Sequence, residues 1–296
     1  MSTALVGQVI IPSDVTTSLP GFNAMLIGPT GTGKTTSLKT LVDTPGLEVF
    51  AVFTEPRYDM LGTEILNKIH YRYIAPTPPK WTTMIDTARL INKLSNDALQ
   101  KMNSISGSEY AQYVDVLMLF NNFVDQHGMS FGDVSTWGTN RVLWIDGLTG
   151  INKMIRGLRV GSKPVLTQPD WGVMMAQVQN FVDAVVCGTY CHVVLVTHVE
   201  REIDEVTGAS HVMVSTLGRK LAPLLPTNFG DVILAKKEGT KFSWSTAEIN
   251  VSLKGAFLPN QSELAPSFVP LLNAWKAKGG VLGINPPANW QNGEGA

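Results

Sequence analysis

Cysteine is scarce in this 296-residue sequence, which contains only Cys187 and Cys191. Two cysteines cannot build a disulfide framework, and their C-x3-C spacing has no partner pair with which to form a structural zinc site. We therefore expect both to be small, buried apolar residues.

Charge is scarce as well. Asp, Glu, Lys and Arg make up 16% of the residues, against roughly 25% in an average soluble protein, which favours surface covered by an oligomer or a partner. The 23 basic and 24 acidic side chains leave a net charge of −1, so any site for nucleic acid must be local. Hydrophobic residues make up 44%, which excludes a disordered protein.

Long apolar runs are missing, since none approaches the roughly 18 residues that a transmembrane helix needs. The first basic residue is Lys34, so the amino-terminal stretch does not have the composition of a signal peptide. We expect a soluble, cytoplasmic protein without a membrane partner.

Apolar, β-branched runs alternate with helical patterns along the chain. Strands are predicted at 22–27, 49–53, 141–145, 193–196, 232–235, 241–246 and 249–254. Helices are predicted at 33–43, over 81–127, and at 171–186 with Asp170 as N-cap. This alternation favours an α/β fold with a parallel sheet.

The strongest motif follows the first strand, where residues 28–35 have the sequence GPTGTGKT and fit G-x-x-x-x-G-K-[ST]. Such glycines let backbone N–H groups surround phosphate oxygens at the positive end of a helix. Lys34 would reach the β- and γ-phosphates, and the Thr35 hydroxyl would ligate Mg²⁺. The plainer alternative is a flexible turn before a helix. The predicted nucleotide-binding residues are Gly28, Pro29, Thr30, Gly31, Thr32, Gly33, Lys34, Thr35 and Thr36.

Three polar residues follow other predicted strands. Asp146 ends the strand from Arg141 and is the predicted second magnesium ligand. Glu55 follows the strand at 49–53 and is the predicted base for an attacking water, while His198 is a predicted sensor of the γ-phosphate. The alternatives are an ordinary turn at Asp146, a solvated loop carboxylate at Glu55 and a surface histidine at His198.

These pieces, in this chain order, resemble the RecA-type branch of P-loop ATPases, and in particular phage-type RecA-like AAA ATPases associated with single-strand annealing and recombination. The segments that carry the resemblance are GPTGTGKTT, FTEP, VLWIDGLT, DWGVMMAQVQNFV, HVVLVTH and LGRKLAPLLP followed by DVIL. It covers roughly residues 20–260 and implies a three-layer RecA-like P-loop NTPase core with a mostly parallel sheet. In this sequence Gly147 stands where an acidic residue usually follows the magnesium aspartate, which favours Glu55 as the base.

The predicted organisation follows from the same comparison. An amino-terminal extension covers 1–20, the ATPase core covers 21–260 with a helical insertion at 81–135, and a carboxy-terminal segment with a flexible tail (283–296) covers 261–296.

The resemblance also implies partners. A homo-oligomer would place a cation of one subunit in the site of the next, for which Lys254 is preferred over Arg219. DNA would contact two loops. The loop at 152–169 carries the four cations Lys153, Arg156, Arg159 and Lys163, which a solvated helix face would explain equally well, and the loop at 199–216 begins with the acids Glu200, Glu202, Asp204 and Glu205.

The sequence therefore predicts a Mg²⁺-dependent ATPase that acts on single-stranded DNA, with recombination or replication proteins as partners, in the host cytoplasm if a phage encodes it. The alternative is a P-loop ATPase with a protein client, such as a loader, assembly or packaging factor. A small-molecule kinase ranks last, since no Arg-rich lid segment is found.

Overall fold

The computed structural model of the protein describes residues 18–102, 109–161, 163–203, 210–288 and 290. The strands are β1 (Asn23–Ile27), β2 (Glu48–Phe53), β3 (His70–Tyr73), β4 (Arg141–Asp146), β5 (His192–Thr197), β6 (Val199–Ile203), β7 (Ser210–Val214), β8 (Asp231–Glu238), β9 (Lys241–Ser245) and β10 (Lys254–Gly255). The α-helices are α1 (Lys39–Val42), α2 (Gly62–Leu66), α3 (Trp81–Lys93), α4 (Asn96–Gln100), α5 (Gln112–Asn121), α6 (Leu148–Val160), α7 (Gln168–Cys187) and α8 (Val269–Ala277). Turns of 3-10 helix lie at Thr35–Leu38, Tyr58–Leu61, Val134–Thr136 and Leu225–Asn228.

Eight strands form one sheet in the order β10-β8-β1-β5-β4-β2-β3, with β9 also paired to β8. The six strands from β8 to β3 are parallel, and β9 and β10 run antiparallel to β8. The carboxyl ends of β1, β5, β4 and β2 therefore lie side by side at one edge. In parallel sheets this edge is where ligands bind.

Helices cover both faces of the sheet, which explains why the strands are continuous apolar runs. Successive residues alternate between two cores: Met25 and Ile27 belong to the core under α5, α6 and α7, whereas Ala24 and Leu26 belong to the core under α1, α2 and α8. The predicted α/β fold class, with helices on both faces of a mostly parallel sheet, is confirmed. Among the described helices, none has the length and apolarity required to span a bilayer.

The segment predicted to be helical over 81–127 contains the separate helices α3, α4 and α5, and its last helix ends before residue 127. α5 ends at Asn121, and the next residues form a turn around Asp125. The Asp125 carboxylate accepts hydrogen bonds from the backbone N–H groups of His127 and Met129, both at 2.9 Å. Aspartate side chains that bind nearby backbone N–H groups favour turns over helix, which accounts for the error.

The start of α7 also differs from the prediction. Thr167, not Asp170, is the N-cap, and Asp170 is the third helical residue of a capping box in which each side chain bonds the other's backbone N–H. The Asp170 carboxylate also forms ion pairs with Arg159 at 2.9 Å and Lys163 at 3.1 Å. One buried carboxylate thus ties the start of α7 to the end of α6.

Four further predictions need correction. The segment 199–216, predicted as a loop, contains the hairpin β6–β7, while its residues 204–209 lie outside the described residues. Of the strand predicted at 249–254, only Lys254 belongs to a strand of the sheet, the two-residue β10. The sequence analysis did not predict α8, although a proline near a helix start, here Pro270, is a common helix signal. Ile284, in the predicted tail, accepts a hydrogen bond from the Thr139 backbone N–H and donates its own N–H to the Thr139 hydroxyl. Residues 291–296 of that tail lie outside the described residues. Cys191 is buried as expected, but Cys187 is exposed.

Replacing Asp170 by asparagine is expected to lower the free energy of unfolding by about 2 kcal/mol at pH 7, because Arg159 and Lys163 lose the negative charge that pairs with them. The hydrogen bonds from the Thr167 backbone and hydroxyl, with Lys163, lower the pKa of Asp170 from 3.8 to about 2. This stabilisation is present above pH 3.8 and is lost as the pH falls through about 2. Urea denaturation at pH 7 and at lower pH measures it.

Asp86→Asn is the matched control, since Asp86 pairs with Arg89 on the exposed side of α3 at 3.4 Å. We expect that substitution to change the free energy of unfolding by less than about 0.5 kcal/mol. Equal effects of the two substitutions would show that Asp170 does not stabilise the junction of α6 and α7.

Candidate nucleotide-binding site

The loop predicted to bind phosphate joins β1 to the 3-10 turn that precedes α1. Gly31 and Gly33 both adopt a φ of 79°, a left-handed conformation that favours glycine. The Thr32 hydroxyl donates to the Pro29 carbonyl at 2.8 Å and closes the loop on itself. The loop has the strand-to-helix setting that the motif requires.

Lys34 is folded back onto this loop and is buried. Its Nζ donates to the carbonyls of Gly28 at 2.7 Å and Pro29 at 2.8 Å, and lies 3.5 Å from Nδ1 of His198. Burial lowers the pKa of Lys34 to about 8, although the negative charges of Asp146 and Glu55 act in the opposite direction. The cation of the loop thus sits among oxygen atoms in a poorly solvated position.

The two predicted magnesium ligands touch each other. The Thr35 hydroxyl donates to the Asp146 carboxylate at 2.7 Å, although the residues are 111 positions apart in the sequence. Asp146 is buried at the end of β4, and burial raises its pKa. The charge of Glu55 acts in the same direction, whereas the bond from Thr35 opposes it.

Glu55 and His198 form the next pair, with Nε2 of His198 at 3.0 Å from the Glu55 carboxylate. Burial alone would raise the pKa of Glu55, but the hydrogen bond and charge of His198, the Thr149 hydroxyl and the charge of Lys153 together lower this pKa. The other carboxylate oxygen, Oε1, is buried and has no partner among the described residues. Glu55 can therefore accept one further hydrogen bond.

Gly147 leaves the space that Glu55 occupies. A β-carbon on Gly147 would lie 2.8 Å from Oε1 of Glu55 and 3.2 Å from the Val196 carbonyl. An acidic side chain at this position would displace Glu55, which gives a physical reason why glycine follows Asp146 here.

Thr54 was missed by the sequence analysis. Its buried hydroxyl donates to the Gly147 carbonyl at 2.6 Å and accepts from the Gly147 N–H at 2.9 Å, and its own N–H donates to the Asp146 carbonyl at 2.7 Å. These bonds hold the tips of β2 and β4 together. The only signal in the sequence was a threonine between an apolar strand and the candidate base.

The donors at this edge suit Mg²⁺. Thr35 and Asp146 supply hard oxygen atoms, and the raised pKa of Asp146 marks a carboxylate that lacks a full positive partner. Among the described residues, no cluster of three or more His, Cys, Asp or Glu side chains could hold a metal alone. Mg²⁺ commonly binds through one or two protein oxygens together with phosphates of its substrate, which matches this donor set.

Lys254 lies outside this group of residues. It pairs with Val232 at the amino-terminal end of β8, and its exposed Nζ donates to the Thr227 carbonyl at 3.4 Å. Arg219, the other candidate, pairs with Glu202 at 3.0 Å. A role for either in the site of a neighbouring subunit stays a prediction.

The four predicted DNA-binding cations divide into two pairs. Lys153 and Arg156 are exposed on α6, so the segment predicted as a loop begins as a helix. Arg159 and Lys163 are both bound to Asp170, the first acidic residue after the segment. Two exposed cations are therefore left for phosphate contacts.

The structure is an α/β fold in which the loop with the P-loop sequence pattern and three polar residues lie at the tips of four neighbouring strands. No protein-family model matches the sequence, and no curated protein is significantly similar to it. Among solved structures the chain is similar to the flagellar accessory protein FlaH from Methanocaldococcus jannaschii, with 10% sequence identity and a TM-score of 0.32 over 82% of this chain and 83% of that chain. At this level the likeness carries no functional argument, so function is argued from the site.

Thr54→Val is expected to lower the free energy of unfolding by about 2 kcal/mol or more, because the buried N–H and carbonyl of Gly147 both lose their partner. Thr54→Ser keeps the hydroxyl and serves as the control, with a smaller loss. Urea denaturation distinguishes the two variants. Equal stability of the valine and serine variants would mean that these hydrogen bonds do not hold the strand tips.

Proposed function

We propose that the protein is a Mg²⁺-dependent, RecA-like P-loop ATPase that acts on single-stranded DNA in phage-type recombination or replication. The observation that carries the ATPase assignment is the connected set of side chains at one sheet edge. Thr35 contacts Asp146, Lys34 approaches His198, and His198 contacts Glu55. These contacts bring together a cation for phosphate, two oxygen ligands for Mg²⁺ and a candidate base, which are residue types that phosphoryl transfer to water uses.

In the proposed reaction the loop amides and Lys34 bind the triphosphate, and Lys34 exchanges the carbonyls of Gly28 and Pro29 for phosphate oxygens. Mg²⁺, held by Thr35 and Asp146, would neutralise charge on the phosphates. A water bound to the free oxygen of Glu55 attacks the γ-phosphorus, the bond to the β–γ bridging oxygen breaks, and Glu55 takes the proton of the water. The products are ADP and inorganic phosphate.

His198 is the proposed sensor. It lies between Lys34, at 3.5 Å, and Glu55, at 3.0 Å, so it contacts both the residue that would bind the γ-phosphate and the residue that would activate water. The hairpin β6–β7 begins at the next residue, and Ser215, directly after it, donates its backbone N–H to the His198 carbonyl at 2.9 Å. A change at His198 is therefore transmitted first to this hairpin.

ATP is favoured over GTP by the resemblance. The sequence also has no guanine-specifying N-K-x-D-type segment. A homo-oligomer is proposed on the same ground, with Lys254 of one subunit completing the site of the next. Such a trans-acting cation can be worth 10³–10⁵ in rate.

The proposed DNA contact uses Lys153 and Arg156, the two cations of α6 that are exposed and have no acidic partner among the described residues. Lys153 also contributes to the low pKa of Glu55, so it is close enough to the site for its charge to act there. Phosphate binding at Lys153 would change the electrostatic environment of Glu55. This connection supports turnover that depends on DNA.

A protein client is the alternative, and one observation favours it. α3 has no buried residue, and one side of it exposes Trp81, Met84, Ile85 and Ile91, with Trp81 80% exposed. An uncovered apolar stripe of this kind is typical of a surface that binds protein. In this version hydrolysis drives a change in the complex with that partner and needs no DNA.

Glu55→Gln is expected to leave the affinity for ATP within a few fold and to slow hydrolysis by roughly 10²–10⁴, because the amide cannot take the proton of the attacking water. Lys34→Ala is the contrasting variant, in which binding of ATP itself is lost. Equilibrium binding and single-turnover hydrolysis measure the two effects. Near-normal turnover by the glutamine variant would exclude Glu55 as the base.

An ATPase assay titrated with salt, with and without single-stranded DNA, tests the client. We expect DNA to raise the rate of ATP hydrolysis. In a plot of the logarithm of DNA affinity against the logarithm of salt concentration, two phosphate contacts per subunit should give a slope of about −1.4, and four should give about −2.8.

Replacing Lys153 and Arg156 by alanine should abolish this dependence, whereas alanine at Lys80, an exposed cation outside the segment, should not. A rate that DNA leaves unchanged at low salt would exclude the nucleic-acid client and favour the protein client.

A further inference from the structure

A groove of about 590 Å³ lies between α5 and α7, remote from the P-loop. Its walls are largely apolar and include Leu117, Phe120, Phe181 and Val185, and Leu117 is 42% exposed. Cys187, at the end of α7, also lines it. Grooves of this size and composition bind small ligands or apolar segments.

The amino-terminal end of the described chain lies beside this groove. The Ser18 carbonyl accepts a hydrogen bond from the Tyr190 hydroxyl at 2.8 Å. The Tyr190 ring packs edge-on against Trp290, with centroids 4.9 Å apart, and Trp290 lines the groove. The side chains of Tyr190 and Trp290 therefore connect Ser18 to the groove.

Trp290 supplies a second observation. Its indole nitrogen is buried and has no hydrogen-bond partner among the described residues. A buried donor without an acceptor is unfavourable, and most such groups in native proteins are paired. A backbone carbonyl from a segment in the groove would supply the acceptor.

The sequence before Ser18 has a suitable segment within reach. Residues 5–11 are Leu-Val-Gly-Gln-Val-Ile-Ile, in which five of seven residues are apolar. The six residues 12–17 span up to roughly 20 Å when extended, enough to lead from Ser18 into the groove. Because the segment belongs to the same chain, its effective concentration at the groove is in the millimolar range or above.

We propose that residues 5–11 of the same chain occupy the groove between α5 and α7 and cover Leu117, Phe181 and the thiol of Cys187. The segment would pack its apolar side chains against α5 and α7, and the amides of Asn121 and Asn180, which also line the groove, can bind its backbone. This proposal does not depend on the nucleotide site.

Cys187 is the reporter for the test, since Cys191 is buried and its thiol will not compete. The labelling rate of native protein by a maleimide is measured for the full chain, for the variant Val9→Asp/Ile10→Asp, and for the control Ser2→Asp/Thr3→Asp. Charge at two apolar contacts should release the segment, so the first variant should label at least about tenfold faster than the other two proteins. Unfolding curves show that all three are folded.

Equal labelling of the wild-type chain and the Val9→Asp/Ile10→Asp variant would overturn the proposal and leave the groove open to a separate ligand.

A second experiment tests whether the segment in the groove comes from the same chain. The full-length Ile10→Cys variant is oxidised and analysed on a non-reducing gel. A disulfide between position 10 and Cys187 within one chain supports the proposal. Covalent dimers would overturn it, because they place the segment of a second copy in the groove.

Discussion

The hydrogen bonds between the Thr54 hydroxyl and the Gly147 backbone fix the relative position of two strand tips, and the rest of the site depends on that position. One tip carries Glu55 and the other carries Asp146. A parallel sheet alone brings such residues to the same edge, but neighbouring tips can still separate by the width of a water molecule. Because the hydroxyl serves as both donor and acceptor, it closes that gap without adding a charge to an already charged edge.

The electrostatics of this edge are unbalanced. The pKa of Lys34 is lowered and that of Asp146 is raised, both chiefly because burial disfavours the charged form. Each shift records a desolvation cost that the described chain only partly offsets. A polyphosphate beside Lys34 and a divalent cation beside Asp146 would both reduce that cost, which supports the proposed nucleotide and Mg²⁺ as ligands.

The core of the fold and the central site residues could be predicted because their signals are local. Strands buried on both faces are unbroken apolar runs, and residues at their ends must lie at an edge. The sequence could therefore predict that Lys34, Asp146, Glu55 and His198 lie together, while their roles stay predictions. Contacts that depend on tertiary structure could not. The ion pairs of Asp170 with Arg159 and Lys163 form only because α6 and α7 pack together. The hairpin β6–β7 forms by strand pairing, although the acidic composition of its sequence is typical of a loop.

The position of Lys34 has a consequence for the proposed binding of anions by the loop. Its ammonium group already has two carbonyl acceptors inside the protein, at 2.7 and 2.8 Å. An incoming anion must therefore displace internal acceptors before it gains the lysine, and the exchange returns little net free energy for a single contact. Orthophosphate and sulfate can form only a few contacts with the loop, whereas the successive phosphate groups of a nucleoside triphosphate can form many. If the loop binds a nucleotide as proposed, the internal bonds of Lys34 disfavour orthophosphate and sulfate relative to that nucleotide.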